Sequence, residues 1–228
     1  MIRIGLPVFV AALAMSFVAS GAQTKGKLVT KFKYYSVSGS TAATLHRNMT
    51  VPTGFFSSER VYGNITMSPS FSGTFKPGRK GKSCRIQGFG INGEFVVRLP
   101  KLKSGVKLPR SLNRKFRNFV SYVRKHELTH RSIWTRCLRS AEARIKRLRV
   151  KSCTRLDAQA ANIITSEWAK CEKRNIRFDA LEQKRLRRLP LVREAFKPAK
   201  RPKRTASKKR SRPGKVQRGA FDRAIDYR

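Results

Sequence analysis

The chain has 228 residues, 53 Lys and Arg against 12 Asp and Glu, and a net charge of +41. That length suits one folded domain with extensions, and the charge predicts attraction to polyanions such as nucleic acid, anionic lipid or acidic polysaccharide without selecting among them. No apolar run reaches the roughly 20 residues a membrane-spanning helix needs, so no transmembrane helix is expected in the mature chain.

Residues 1–22 read as a secretory signal. Arg3 gives the positive start, Leu6 to Val18 is a short apolar run, and Ser20-Gly21-Ala22 places small residues for cleavage after Ala22. The mature protein is therefore expected to be secreted or periplasmic. An oxidising compartment in turn favours two disulfides among Cys84, Cys137, Cys153 and Cys171.

Leu28 to Val37 reads as a strand, Ser40 as the N-cap of a short helix over Thr41 to Met49, and Pro52-Thr53-Gly54 as a turn. Short β segments follow at Gly63 to Met67, Ser70 to Phe75, Cys84 to Gly88 and Gly93 to Leu99, with a tip at Pro77 to Gly81. Together they predict a small antiparallel sheet. Ser111 is the expected cap of a long helix, along which Leu112, Phe116, Phe119, Val123, His126, His130, Trp134, Cys137, Ala141 and Ile145 recur at three and four residues. A break at Lys151 to Thr154 precedes a second long helix from Leu156 to Leu186, and two helices joined so briefly are expected to pack antiparallel. Trp134 and Trp168 are expected between them. His46 stands alone and reads as a surface residue. From Gln183 onward 18 Lys and Arg face three acidic residues, too little apolar content to offset chain entropy, so the part after Lys197 is expected to be disordered. The expected organisation is a signal over 1–22, a domain over 23–190 and a basic tail over 191–228. The tail does not hold all the charge, since residues 23–182 carry 34 Lys and Arg against nine acids.

The chemistry centres on His126-Glu127-Leu128-Thr129-His130, an H-E-x-x-H containing two of only three histidines in the chain. Residues four apart on a helix share a face, so both imidazoles can bind one Zn²⁺, with Glu127 placed as general base on a neighbouring water. A hydrolytic zinc site needs a third protein ligand. Arg136 occupies the position of a third His six residues on, Val150 that of a Glu about twenty residues on, and Glu142 is about 18 Å along the helix. The ligand is thus expected from the return helix. Folding the chain about residue 152 pairs positions that sum to about 304, which brings Asp179, Glu182 and Glu172 within reach and places His126 near Phe178 and His130 near Arg174. The same map suggests Cys137 with Cys171, leaving Cys84 with Cys153.

The order Tyr34-Tyr35-Ser36-Val37-Ser38-Gly39-Ser40-Thr41, Leu45, Met49, Gly63, Cys84, Leu99-Pro100, the histidine motif, Cys153-Thr154-Arg155-Leu156 and Phe178-Asp179 resembles an uncharacterised bacterial family described as predicted secreted zinc-dependent proteases. The resemblance spans about Tyr34 to Asp179. The family closes on a Tyr-Asp-x-x-Thr-x-His-Gly run, of which this chain keeps Asp179 and has Lys184 at the His position. It implies a zincin-like fold and peptide or protein substrates.

These readings combine into an expected α+β exported zinc metallopeptidase: a small antiparallel sheet on two long helices, metal on His126, His130 and Asp179 (Glu182 or Glu172 as substitutes), and Glu127 as base. The alternative is a catalytically weak or inactive relative acting as a basic, envelope-associated protein that binds an anionic polymer or lipid through its tail. No helix-turn-helix or aromatic-interleaved pattern marks a specific nucleic-acid module.

Overall fold

A computed structural model describes residues 26–49, 51–52, 60–78 and 83–198. The expected signal over 1–22 and the basic tail beyond Pro198 lie outside these residues. In chain order the elements are β1 (Leu28–Val37), α1 (Ala42–Asn48), β2 (Val51–Pro52), β3 (Arg60–Val61), β4 (Asn64–Pro77), β5 (Cys84–Leu102), α2 (Arg110–Lys146), β6 (Arg149–Val150), a 3-10 turn (Cys153–Arg155), α3 (Leu156–Arg188) and α4 (Pro190–Ala195). The fold is α+β.

The main sheet is mixed, which corrects the antiparallel expectation. Its order is β1-β5-β4, with β6 also on β5. β4 runs antiparallel to β5, but β1 runs parallel to it, with Phe32 opposite Val97 and Val37 opposite Leu102. The reason is connection length. A short tip can join only antiparallel neighbours, whereas β1 and β5 are separated by α1 and three strands, so the chain can return in either direction.

The four short β segments of the sequence merge into two long strands. Pro69 interrupts the pattern in sequence, yet β4 is an edge strand, where a residue without an N–H costs no ladder bond. The ladder shifts register between Thr74 and Phe75: Gly88 pairs with Thr74 and Ile86 with Phe75, leaving Gln87 as an extra residue. That bulge switches the inward set from Cys84 and Ile86 to Phe89, Ile91, Phe95, Val97 and Leu99.

The first helix is capped by Thr41 rather than Ser40. Its hydroxyl accepts from the Thr44 backbone while Thr44 Oγ1 accepts from the Thr41 N–H. α2 starts after Pro109 with no side-chain cap, so Ser111 does not serve as one. α2 forms the middle layer, packed on β5 on one side and on α3 on the other. Two contact faces explain why its buried set is broader than one stripe and includes Glu127, Ile133 and Leu138. Along α2 the partners on α3 are met in reverse chain order: Tyr122 meets Glu182, His126 meets Phe178, Trp134 meets Trp168 and Arg144 meets Glu167.

Residues 191–195, assigned to the tail by composition, instead belong to α4 (Pro190–Ala195). It buries Leu191 and Val192 and contacts α1 and α2.

Both disulfides pair as the folding-back map suggests. Cys137 and Cys171 link α2 to α3 (Cα–Cα 6.1 Å), and Cys84 and Cys153 link β5 to the turn before α3 (Cα–Cα 5.0 Å). Closing loops of 34 and 69 residues contributes about 4 kcal/mol each on the chain-entropy account. The two bonds tie α3 to α2 and the turn before α3 to β5.

Candidate metal centre

The site lies where α2 and α3 meet. His126 and His130, one turn apart on α2, both turn toward α3, and Asp179 projects back from it. His130 Nε2 is 3.1 Å from His126 Nε2. Asp179 Oδ1 is 3.2 Å from His126 Nε2 and 2.9 Å from His130 Nε2. Phe178 packs against both imidazoles, with ring centroids 4.9 and 5.0 Å away.

The orientation of His130 is set from behind. Its Nδ1 is 2.8 Å from Asn175 Oδ1. That oxygen can only accept, so Nδ1 carries the hydrogen and, in the neutral ring, Nε2 presents a lone pair to the cluster. Asp179 Oδ1 is buried and close to both nitrogens, yet makes no directed hydrogen bond. Lone pairs thus converge on one point.

Zinc fits that donor set. Ligands at about 2 Å on tetrahedral corners lie about 3.3 Å from one another, and the three separations here are 2.9, 3.1 and 3.2 Å. Two imidazoles with one carboxylate is also a hydrolytic donor set that leaves a fourth position for water. Among the described residues, His126, His130 and Asp179 form the one group of three His, Cys, Asp or Glu able to hold a metal ion.

Glu127 lies on the sheet side of the cluster. It is 3% exposed, and its Oε2 has no hydrogen-bond partner. Burial pushes its carboxyl up to about 7; the two histidines oppose that shift and Asp179 adds to it. Burial works against charge on His130 as well, but the Asp179 carboxylate 2.9 Å away, helped by Asn175 and Glu127, raises it above the usual imidazole value. Asp179 is the mirror case: burial acts to raise it, and the two histidines outweigh burial and hold it low.

A cavity of about 40 Å³, room for a few water molecules, opens beside Glu127 and His126 and is walled by Tyr62, Gly63, Tyr122, Gln183 and Leu186. Glu182 also lines it, but its carboxylate is engaged: Tyr122 OH donates to Oε2 at 2.8 Å and Arg185 contacts Oε1 at 2.8 Å. Burial, then Glu182, raises the Tyr122 hydroxyl well above its usual value, which keeps it a donor. Glu172 lies outside the metal group. Lys184, at the position of the family's terminal His, is exposed and does not line the cavity.

Sequence reasoning missed three supports of this site. Asn175 had a signal, because Cys171, Asn175, Asp179 and Glu182 follow the inward spacing of α3 and three of them are polar. The map missed it by one residue, naming Arg174. His46 is the second. It is half-buried rather than a lone surface residue, with Tyr62 OH 2.5 Å from its Nε2 and Phe196 edge-on at 4.8 Å. Through Tyr62 the third histidine braces a wall of the cavity. No spacing in the sequence links residues 46 and 62.

Gly63 is the third, and its role is close approach. A Cβ there would lie 2.6 Å from Val123 Cγ1, 3.1 Å from the Arg98 carbonyl oxygen and 3.3 Å from Glu127 Oε1. Gly63→Ala is expected to cost about 1–3 kcal/mol as overpacking, read as a lower urea midpoint. An unchanged midpoint would show that β4 can move away from α2 without loss.

The chain thus combines an α+β fold with a cluster of two histidines and one aspartate beside a buried glutamate. The chain belongs to a family of bacterial proteins of unknown function, DUF922, whose family model matches residues 32–185. Curated proteins and solved structures give no match.

Proposed function

We propose that this chain is an exported, zincin-like metallopeptidase that hydrolyses peptide bonds, with zinc held by His126, His130 and Asp179 and Glu127 as general base. The observation that carries the reading is the convergence of His126 Nε2, His130 Nε2 and Asp179 Oδ1 beside a buried carboxylate oxygen without a partner. Zinc in such a site supplies a Lewis acid that polarises a carbonyl and acidifies water.

The chain's own residues supply the remaining chemistry. In the metal-free chain burial raises the Glu127 carboxyl to about 7, toward the range of a group that takes and returns a proton at neutral pH. Its Oε2 accepts the proton of the attacking water and delivers it to the leaving nitrogen. Asn175 keeps the His130 Nε2 lone pair facing the cluster. Tyr122 and Gln183 offer polar groups at the cavity wall to hold a substrate backbone, and Tyr62 and Leu186 exclude bulk water. Export is supported by the signal-like character of residues 1–22 and by two disulfides, which persist in oxidising compartments.

The test is cleavage of an unfolded protein, such as reduced and alkylated casein, by the purified mature chain with zinc. Cleavage is expected to stop with a chelator and return with added zinc. Cleavage that persists under chelation would contradict the proposal, and so would an absence of cleavage in zinc-loaded protein.

A further inference from the structure

The outer face of α3 carries a cationic surface that the catalytic proposal does not use. Between residues 170 and 188 the three acids are turned inward or half-covered: Asp179 sits in the cluster, Glu182 is bound by Tyr122, and Glu172 is half-buried. Eight of the eleven exposed positions are cationic. Lys173, Arg174, Arg177, Lys184, Arg187 and Arg188 are exposed and have no ion-pair partner among the described residues, and no residue from 170 to 188 is an exposed acid. At about 100° and 1.5 Å per residue, these six cations occupy an arc of about 140° over about 22 Å of helix.

Such a face works against its own helix. Lys173 and Arg177, and Lys184 and Arg188, are like-charge pairs four residues apart, which destabilise a helix, and ordinary solvated surfaces intersperse both signs. An anionic partner would relieve that repulsion. The exposed apolar side chains indicate which kind. Leu181, 65% exposed, lies inside the cationic arc, and Ile176, 61% exposed, lies at its edge. A soluble polyanion has no use for aliphatic groups between the charges. A bilayer surface does, because headgroups meet the cations while the aliphatic tips enter the headgroup–acyl boundary.

We propose that the outer face of α3 docks on an anionic lipid bilayer surface, through its six unpaired cations and the tips of Ile176 and Leu181. Docking leaves the opposite face of α3, with Asn175 and Asp179, packed on α2. The surface belongs to the folded part of the chain, independently of the basic tail and of whether the metal site hydrolyses anything.

The experiment is co-sedimentation of the full chain with vesicles of phosphatidylglycerol and phosphatidylcholine, with pure phosphatidylcholine vesicles and a heparin column for comparison. Lys173→Glu, Arg177→Glu and Lys184→Glu together are expected to weaken binding to the anionic vesicles at least tenfold. Ile176→Ser with Leu181→Ser is expected to weaken vesicle binding several-fold while leaving elution from heparin unchanged. All substituted side chains are exposed, and a circular dichroism spectrum matching the parent would verify their fold. Vesicle binding unaltered by the charge reversals would overturn the proposal. It would also be overturned if the reversals weakened vesicles and heparin alike while the serine variant matched the parent on both, since that describes a soluble polyanion site. Equal binding of the parent to neutral and anionic vesicles would contradict it too.

Discussion

Glu127→Gln is expected to abolish hydrolysis and, in the same molecule, to make the metal-free protein more stable at alkaline pH. Loss of a general base removes about 10²–10⁴-fold in rate, while the three proposed ligands stay in place and zinc is retained. The stability gain follows from the environment of the carboxyl. Burial raises its folded-state pKa from 4.5 to about 7, so the fold favours the protonated form. The parent therefore loses stability as pH rises from about 4.5 through about 7, by about 3 kcal/mol in total. Glutamine never ionises and avoids that loss. Chelated Glu127→Gln should exceed the chelated parent by about 3 kcal/mol at pH 8 and match it near pH 4, as read by urea unfolding at both values. A gain of equal size at the two pH values would show that the buried charge is not its origin. A variant that still hydrolyses would remove Glu127 from the mechanism.

Zinc is expected to stabilise the fold strongly, and less so in acid. Ligand at about 1,000 times its Kd adds about 4 kcal/mol, which in a chain of this size raises the unfolding temperature by roughly 8–16 °C. In metal-free protein the same cluster is held by protons. His130 has its pKa raised above 6.5, so its contribution is fully present below 6.5 and is lost as pH rises through the folded value. Asp179 has its pKa lowered below 3.8, so its contribution is present above 3.8 and is lost as pH falls through the folded value. Between those limits the metal-free cluster supports itself as an ion pair. Zinc must displace the proton from the His130 ring, so the zinc-induced shift should shrink between pH 8 and pH 5. Calorimetric scans with zinc and with chelator at both pH values measure it. A shift of the same size at pH 5, or one that survives His130→Ala, would place the metal elsewhere.

How much of this was legible in the sequence differs by element. The helices were readable because each has long apolar periodicity, and a single short connection fixed their mutual register. One arithmetic map then placed His126 beside Phe178, suggested both disulfides and brought Asp179, Glu182 and Glu172 within reach without choosing among them. The strand β1 was readable as a strand but not by direction, because its partner β5 lies beyond α1 and β2–β4. The bulge at Gln87 was invisible because it is defined only against the partner strand. The burial of Glu127 was missed for a related reason. A one-stripe reading of α2 gives it one buried face, whereas the helix sits between a sheet and a second helix, and Glu127 occupies the face toward Gly63. The brace of His46 on Tyr62 depends on where a loop returns, and no periodicity encodes that.

His126, His130 and Asp179 are proposed to hold one metal ion. The most direct measurement is the zinc content of the purified mature chain after equilibration with zinc and gel filtration, beside that of His130→Ala and Asp179→Ala. One zinc per chain in the parent and none retained in either variant is the predicted result. A parent that retains no zinc, or an Asp179→Ala variant that holds it as fully as the parent, would contradict the account.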